Sequence, residues 1–322
     1  MAGEVSRIRQ VAVIGAGLMG HGIAQIFATH GYGVRLTDNR QEALPVAMEN
    51  VRSNLNLTAQ RGIGKIDEIE PALARIKTTP DLGEAVRGAQ FVVEAVSENL
   101  ELKQRIFRDL DSLCDSQTVL ATNTSVISIT EIGAKCANRA RVIGTHFWNP
   151  PYLIPLVEVV RGRETSDKVM DLTFDLVKAV GKHPVRVQKD VPGFVGNRLQ
   201  HALWREAISI VEHGIADAST VDECIRYGFG MRLPVLGPLE NADMVGTDLT
   251  LAIHSYILKY IESSPGPSPL LKKLVEEGHL GFKSGRGFQE WSPEKIQQSR
   301  TRLKEYLLEV TNAAGGRKQS DK

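Results

Sequence analysis

The run VAVIGAGLMGHGIAQ, Val11 to Gln25, constrains this chain more than any other stretch. Four apolar residues read as a buried strand, and Gly15, Gly17 and Gly20 follow as G-x-G-x-x-G at the opening of a helical pattern. Gly15 permits a tight turn, Gly17 lets backbone approach a pyrophosphate, and Gly20 packs helix on strand; the helix N-terminus then favours the phosphates. Eighteen residues after Gly20, at the end of a second strand in VRLTDNR, stands Asp38. Its carboxylate suits the hydroxyls of an adenosine ribose and repels a 2′-phosphate, which favours NAD over NADP, although Arg40 weakens that preference. A glycine triplet alone marks any tight turn. The strand, the helix and the acid at this spacing make it a dinucleotide-binding expectation.

The first 190 residues alternate short β-branched runs with amphipathic ones. Strands are expected at 11–14, 33–37, 91–95, 118–121, 141–145, 156–160 and 184–187, with helical patterns between most of them. That alternation predicts a parallel, doubly wound α/β sheet of Rossmann type. After KDVPGF the period becomes helical and strand signals nearly vanish, so the expected organisation is a domain over residues 1–190 and an all-α domain over 191–322. The SSPGPSP run reads as an exposed loop between helices, and the polar tail from Ala313 to Lys322 as disordered.

Composition excludes several classes of function. With 39 basic and 38 acidic residues there is no global field to attract nucleic acid or an anionic membrane. Three scattered cysteines at 114, 136 and 224 suggest neither a disulfide framework nor a metal site. The N-terminus has no apolar leader, and no apolar run nears the roughly 20 residues of a membrane helix, so the expected setting is the cytoplasm.

The chemistry-bearing residues cluster at strand ends, where a doubly wound sheet opens its ligand crevice. FVVEAVSENLELKQ puts Glu98 and Lys103 near the start of a helix after a strand, as crevice residues or as a helix-dipole charge and a solvated lysine. Asn123, Thr124 and Ser125 follow another strand and suit ligand hydrogen bonds or a helix N-cap. In GTHFWNPPYLIPLVEVV, His146 follows an apolar strand, and a second strand can bring Glu158 back beside it. A carboxylate on one ring nitrogen leaves the other to exchange a proton, as alcohol oxidation requires; the alternative is a satisfied core histidine. Asn197 lies at the domain junction, and its amide is directed at substrate or at His146. Lys283 sits in the glycine-rich turn Gly281 to Gly287, which folds over a ligand or is a plain surface turn.

Together GAGLMGHGIA, VVEAVSENL, LATNTS, THFWNPP, LVEVV, PGFVGNRL and LGFKSGRGF resemble, in order, the blocks of the monofunctional L-3-hydroxyacyl-CoA dehydrogenase family. The resemblance runs from Val11 to Trp291. It implies an NAD-binding domain, a helical domain that makes most of a homodimer interface, and a His146–Glu158 catalytic pair. Ser125 and Asn197 would then touch substrate and the histidine, while Asp38, Glu98, Lys103 and Lys283 contact NAD. Asn54 and Arg61 would be the CoA contacts of a helical arm. The expected reaction is NAD-dependent oxidation of a secondary β-hydroxyl to a β-keto group, first on a short L-3-hydroxyacyl-CoA. Two departures, Pro155 in PYLIP and the segment FGMRLPVLGPLENAD, resemble instead the branch of L-gulonate 3-dehydrogenase (lambda-crystallin) and a pyridine-ring alcohol dehydrogenase. That branch implies a free β-hydroxy acid or hydroxymethyl-pyridine as substrate. A third reading is an NAD-binding, crystallin-like protein without turnover.

Overall fold

The computed structural model describes residues 2–320. Eight strands, β1 (Gln10–Ile14), β2 (Gly33–Thr37), β3 (Ile76–Thr79), β4 (Phe91–Glu94), β5 (Val119–Thr122), β6 (Val142–Phe147), β7 (Leu156–Val160) and β8 (His183–Val187), form one sheet in the order β3-β2-β1-β4-β5-β6-β7-β8. Every neighbouring pair is parallel except β6 and β7, which are antiparallel. The connection over residues 148–155 is too short for a crossover, so the chain turns back on itself there as a hairpin.

Strand β1 shows why the sheet needs helices on both faces. Val11 and Val13 pack with Ile23 and Phe27 of α1 (Gly20–Thr29) in one cluster. Ala12 and Ile14 pack in the other with Phe107 and Leu110. Successive side chains point to opposite faces, and both faces are dry, so the strand is apolar throughout. After α1 come α2 (Ala43–Gln60), α3 (Leu100–Leu113) and α4 (Asp167–Ala179). Asn99 caps α3 by accepting from the Leu102 N–H, and Ser166 caps α4 by accepting from Val169.

The chain divides into two compact units, one of Met1–Asn197 with Leu303–Lys322, the other of Arg198–Arg302. The helices from the division onward are α5 (Gly196–Glu212), α6 (Ala218–Tyr227), α7 (Pro238–Val245), α8 (Thr247–Ile257), α9 (Pro269–Glu276) and α10 (Pro293–Ser320). Helices α6 to α9 bury none of their residues, and Leu251 and Tyr256 are 69% and 70% exposed. Among the described residues no helix is long and apolar enough to cross a membrane.

Three expectations need correction. There are eight strands, not seven: β3, IKTT, is a short edge strand with two exposed residues, so it lacks the apolar run that marks its neighbours. His146 does not follow β6 but lies inside it, one residue before its end. The tail expected to be disordered continues α10 to Ser320, and residues 321 and 322 lie outside the described residues. The end of α10, from Leu303, falls in the first unit, where Thr311 and Asn312 bond the Leu153 and Arg61 carbonyls.

Candidate active site

In the β6–β7 ladder His146 and Glu158 are direct cross-strand partners, so pleat and register alone put both side chains on one face. The imidazole Nδ1 stands 2.8 Å from Glu158 Oε2, and both groups are buried. The second carboxylate oxygen accepts from the backbone N–H groups of Val195 (2.9 Å) and Gly196 (3.0 Å), donors at the start of α5 that would otherwise be unpaired. Burial works to raise the Glu158 carboxyl, but the bonds from His146, Gly196 and Val195 overcome it and hold the group below its ordinary value. An ionised carboxylate can only accept, so Nδ1 carries the proton and Nε2 of the neutral ring is the free base.

The walls are built as closely. A Cβ at Gly196 would lie 2.4 Å from the Trp148 ring, so only glycine lets this backbone reach Glu158. The Trp148 and Phe194 rings stand 5.1 and 5.8 Å from the imidazole, centroid to centroid. Phe194 takes a left-handed backbone (φ 50°), which costs about 1–2 kcal/mol and is offset by its buried ring. The Trp148 Nε1–H is buried and has no acceptor among the described residues.

The ends of β4 and β5 form a second layer. Lys103 is 1% exposed and Glu94 0%, and they pair at 2.7 Å. Thr122 Oγ1 and the Val96 N–H also bond Glu94. Lys103 is therefore a buried member of a polar network and not a solvated lysine. Glu98 lies 3.5 Å from Lys103 and accepts from Thr124 Oγ1 and from the N–H groups of Ser125 (2.9 Å) and Val126 (3.2 Å). Burial raises the Glu98 carboxyl, yet these donors and the Lys103 charge hold it below its ordinary value. Glu98 thus pins the loop that carries Ser125. From the other side Asn197 Nδ2 donates to the Ser125 carbonyl at 2.9 Å, so the amide meets that loop rather than His146. Asn123 Oδ1 accepts from the Phe147 N–H beside the histidine.

At the glycine loop Gly15 has φ +102°, and a Cβ there would lie 2.7 Å from the Ala95 carbonyl. One at Gly20 would strike the Gly15 carbonyl at 1.7 Å, whereas a Cβ at Gly17 would meet nothing within 4 Å. The loop is closed on the protein side and open above Gly17, the cradle a pyrophosphate fills. Asp38 is built into it, accepting from Ala16 N–H at 2.8 Å and Arg40 N–H at 2.9 Å.

Comparison with known proteins decides what this arrangement belongs to. Residues 10–191 match the 3-hydroxyacyl-CoA dehydrogenase, NAD binding domain, and residues 193–291 the 3-hydroxyacyl-CoA dehydrogenase, C-terminal domain. The chain belongs to the 3-hydroxyacyl-CoA dehydrogenase family. It is an NAD-dependent oxidoreductase of that family, and Gly15, Gly17, Gly20 and Asp38 supply a loop that fits the cofactor. It is 34% identical over 312 residues to 5-formyl-3-hydroxy-2-methylpyridine 4-carboxylate 5-dehydrogenase of Mesorhizobium japonicum, covering 96% of this chain and 99% of that one. It is 40% identical over 285 residues to a probable 3-hydroxybutyryl-CoA dehydrogenase of Bacillus subtilis, covering 88% and 98%. A crystal structure of the pyridine enzyme, described as an NAD+ dependent dismutase, superposes with a TM-score of 0.88 at 33% identity, covering 96% and 99%.

Three more expected site residues are Asn54, Arg61 and Lys283. Asn54 and Arg61 lie along and just past α2; the Asn54 amide nitrogen is buried without a partner, and Arg61 is held by Glu305 of α10. Lys283 belongs to the second unit, exposed in a turn closed by bridges from Arg286 to Gly281 and Glu290. Sequence reasoning missed Lys182, whose ammonium donates to the carbonyls of Pro151 and Ile154 (3.0 Å) and so ties down the loop between His146 and Glu158. Burial pushes it down to about 8. Among the described residues no cluster of His, Cys, Asp or Glu is placed to hold a metal ion.

Proposed function

We propose that the protein catalyses reversible, NAD-dependent oxidation of a secondary hydroxyl β to a carbonyl group. The observation that carries this reading is the buried 2.8 Å His146–Glu158 bond, with the opposite ring nitrogen left as a base. Bound NAD would supply the hydride acceptor, held by the Gly15–Gly20 loop and by Asp38, with Glu98, Lys103 and Lys283 as further cofactor contacts. His146 Nε2 takes the hydroxyl proton, and Glu158 holds the ring in the required tautomer and stabilises the imidazolium that forms. Ser125 orients the substrate oxygen from the loop that Glu98 and Asn197 brace. The relative named for 3-hydroxybutyryl-CoA supports a secondary β-hydroxyl as the reacting end, whereas the relative named for a formyl pyridine carboxylate differs in both the reacting group and what carries it. The test replaces His146 with Gln: turnover should fall by about 10²–10⁴-fold while NADH binding survives, and unchanged turnover removes the assignment.

The same reading takes residues 1–190 as the cofactor domain and the helices after them as the substrate and dimer domain. Exposed apolar residues on α8 and its surroundings, among them Leu251, Tyr256 and Tyr260, support a second copy as what covers this unit. A cytoplasmic setting fits the three unpaired cysteines. Burial pushes the Cys114 and Cys136 thiols up to about 11 and about 12, which makes them unreactive.

A further inference from the structure

We infer that Lys182 is a positioning residue of the reaction: it holds the loop over residues 148–155 down on the first turn of α1 and so fixes the bound cofactor against His146. This rests on the reaction proposed above and concerns what keeps its two halves, cofactor and base, in register.

The loop begins where β6 ends, carries Trp148 against the imidazole, and returns through β7 to Glu158. Pro150, Pro151 and Pro155 have no N–H to donate, so the loop cannot satisfy its own carbonyls and needs donors from elsewhere. Five carbonyls find partners. That of Pro150 accepts from the N–H groups of Leu153 (3.1 Å) and Ile154 (3.0 Å), and that of Pro155 from the His183 N–H at 2.9 Å. Thr311 Oγ1 of α10 donates to the Leu153 carbonyl at 3.2 Å. The carbonyls of Pro151 and Ile154 both fall to the Lys182 ammonium, the second at 3.0 Å. An ammonium has three donors and can serve two convergent carbonyls at once. Burial alone pushes it down to about 8, with no carboxylate beside it to work the other way. A cation held without a counter-ion is costly, and here carbonyl oxygens alone offset the cost.

The other side of the loop lies on the cofactor helix. A Cβ at Gly22, in the first turn of α1, would lie 2.5 Å from Pro151 Cγ and 3.2 Å from its Cδ. A proline ring is fixed to its own backbone and cannot rotate away. Pro151 is thus gripped between Lys182 and the helix whose N-terminus faces the pyrophosphate cradle.

In the sheet, β4 and β5 separate β1, which feeds α1, from β6, which carries His146. No ladder bond therefore joins the cofactor helix to the histidine strand, and the Gly22–Pro151 contact links α1 to the loop that follows that strand. Hydride transfer is steep in distance: a misplacement of about 1 Å costs on the order of 100-fold in rate. A loop free to lift off α1 would admit errors of that size.

The test is a double-mutant cycle on Lys182→Met and Gly22→Ala. Its readouts are NADH-driven reduction of acetoacetyl-CoA and of acetoacetate, on whichever wild type turns over, and NADH fluorescence titration. Lys182→Met keeps the stem and loses the ammonium; kcat should fall about 10–100-fold while the NADH dissociation constant moves less than about twofold. Gly22→Ala adds one methyl under Pro151 and should lower kcat by a similar factor, again with NADH affinity kept. Together they should cost no more than the worse of the two, because a loop already released can rise over the added methyl. Should Lys182→Met fail to fold, Gly22→Ala decides alone, and an unchanged kcat overturns the inference. Effects that multiply in the double variant, or a loss of NADH affinity with kcat kept, overturn it and leave the proposed reaction standing. Turnover of neither substrate by wild type overturns the reaction and this inference together.

Discussion

The two units handle polarity in opposite ways. The first buries charges and completes each of them: Glu94 with Lys103, Asp111 with Arg141 at 2.8 Å, and Glu158 with His146 and two backbone donors. The second exposes apolar surface and completes little of it, since none of α6 to α9 has a buried residue. A sheet walled by helices on both faces closes its own core, and inside it a charge survives only with partners. A set of short helices leaves apolar faces, and the proposed reading sets a second copy against them. The difference teaches where chemistry and assembly should separate: chemistry should fail when a buried charge is stripped, assembly when an exposed apolar residue is made polar.

The largest expected effect is on chemistry. Glu158→Gln keeps the shape but can donate where the carboxylate only accepts, so kcat should fall by about 10²–10⁴-fold, measured by steady-state kinetics beside NADH affinity. Next comes the buried pair that has no catalytic role in this reading. Glu94→Gln takes from the buried Lys103 its nearest carboxylate, leaving only the partly exposed Glu98 at 3.5 Å, and should lower unfolding free energy by about 3 kcal/mol in denaturant titration; a loss below about 1 kcal/mol breaks the contrast between the units.

In the second unit, if the proposed dimer forms through α8, Tyr256→Asp should shift it toward monomer in sedimentation velocity, with the midpoint of the transition depending on concentration. An unchanged dimer would show that a different face is covered. A pH effect comes next. Glu158 is held below its ordinary value of 4.5, so the unfolded chain binds the proton more readily. The stability it contributes is present in full above about 4.5 and is lost as pH falls through the lower folded value. The stability difference between wild type and Glu158→Gln should therefore shrink on acidification below that point, and a difference independent of pH would contradict the bonding described. The smallest effect is at the exposed Arg61–Glu305 pair: Arg61→Ala should cost only about 0.2–1 kcal/mol of stability.

Much of the first unit was legible because its signals are local. The strand, turn and helix of the glycine loop occupy adjacent residues, and each needs its own residue type. His146 and Glu158 were legible almost as easily, since a hairpin with a period of two places them on one face. Strand β3 was not, because an edge strand needs no apolar run. Whether Lys103 lines the crevice or is a solvated lysine was not legible, because nothing near it in sequence reveals that Glu94 and Thr122 close over the same spot.

The sequence by itself determined the strand–turn–helix of the glycine loop, the pairing of His146 with Glu158 and the helical character of the second unit, because periodicity and short-range geometry write these into neighbouring residues. Only the tertiary structure decided that Asn197 braces the Ser125 loop from 72 residues away, that Lys182 holds the loop after His146, and that Glu305 reaches Arg61 across 244 residues. Contacts between distant residues depend on how whole elements pack, and a residue's own neighbours carry no trace of what packing will set against it.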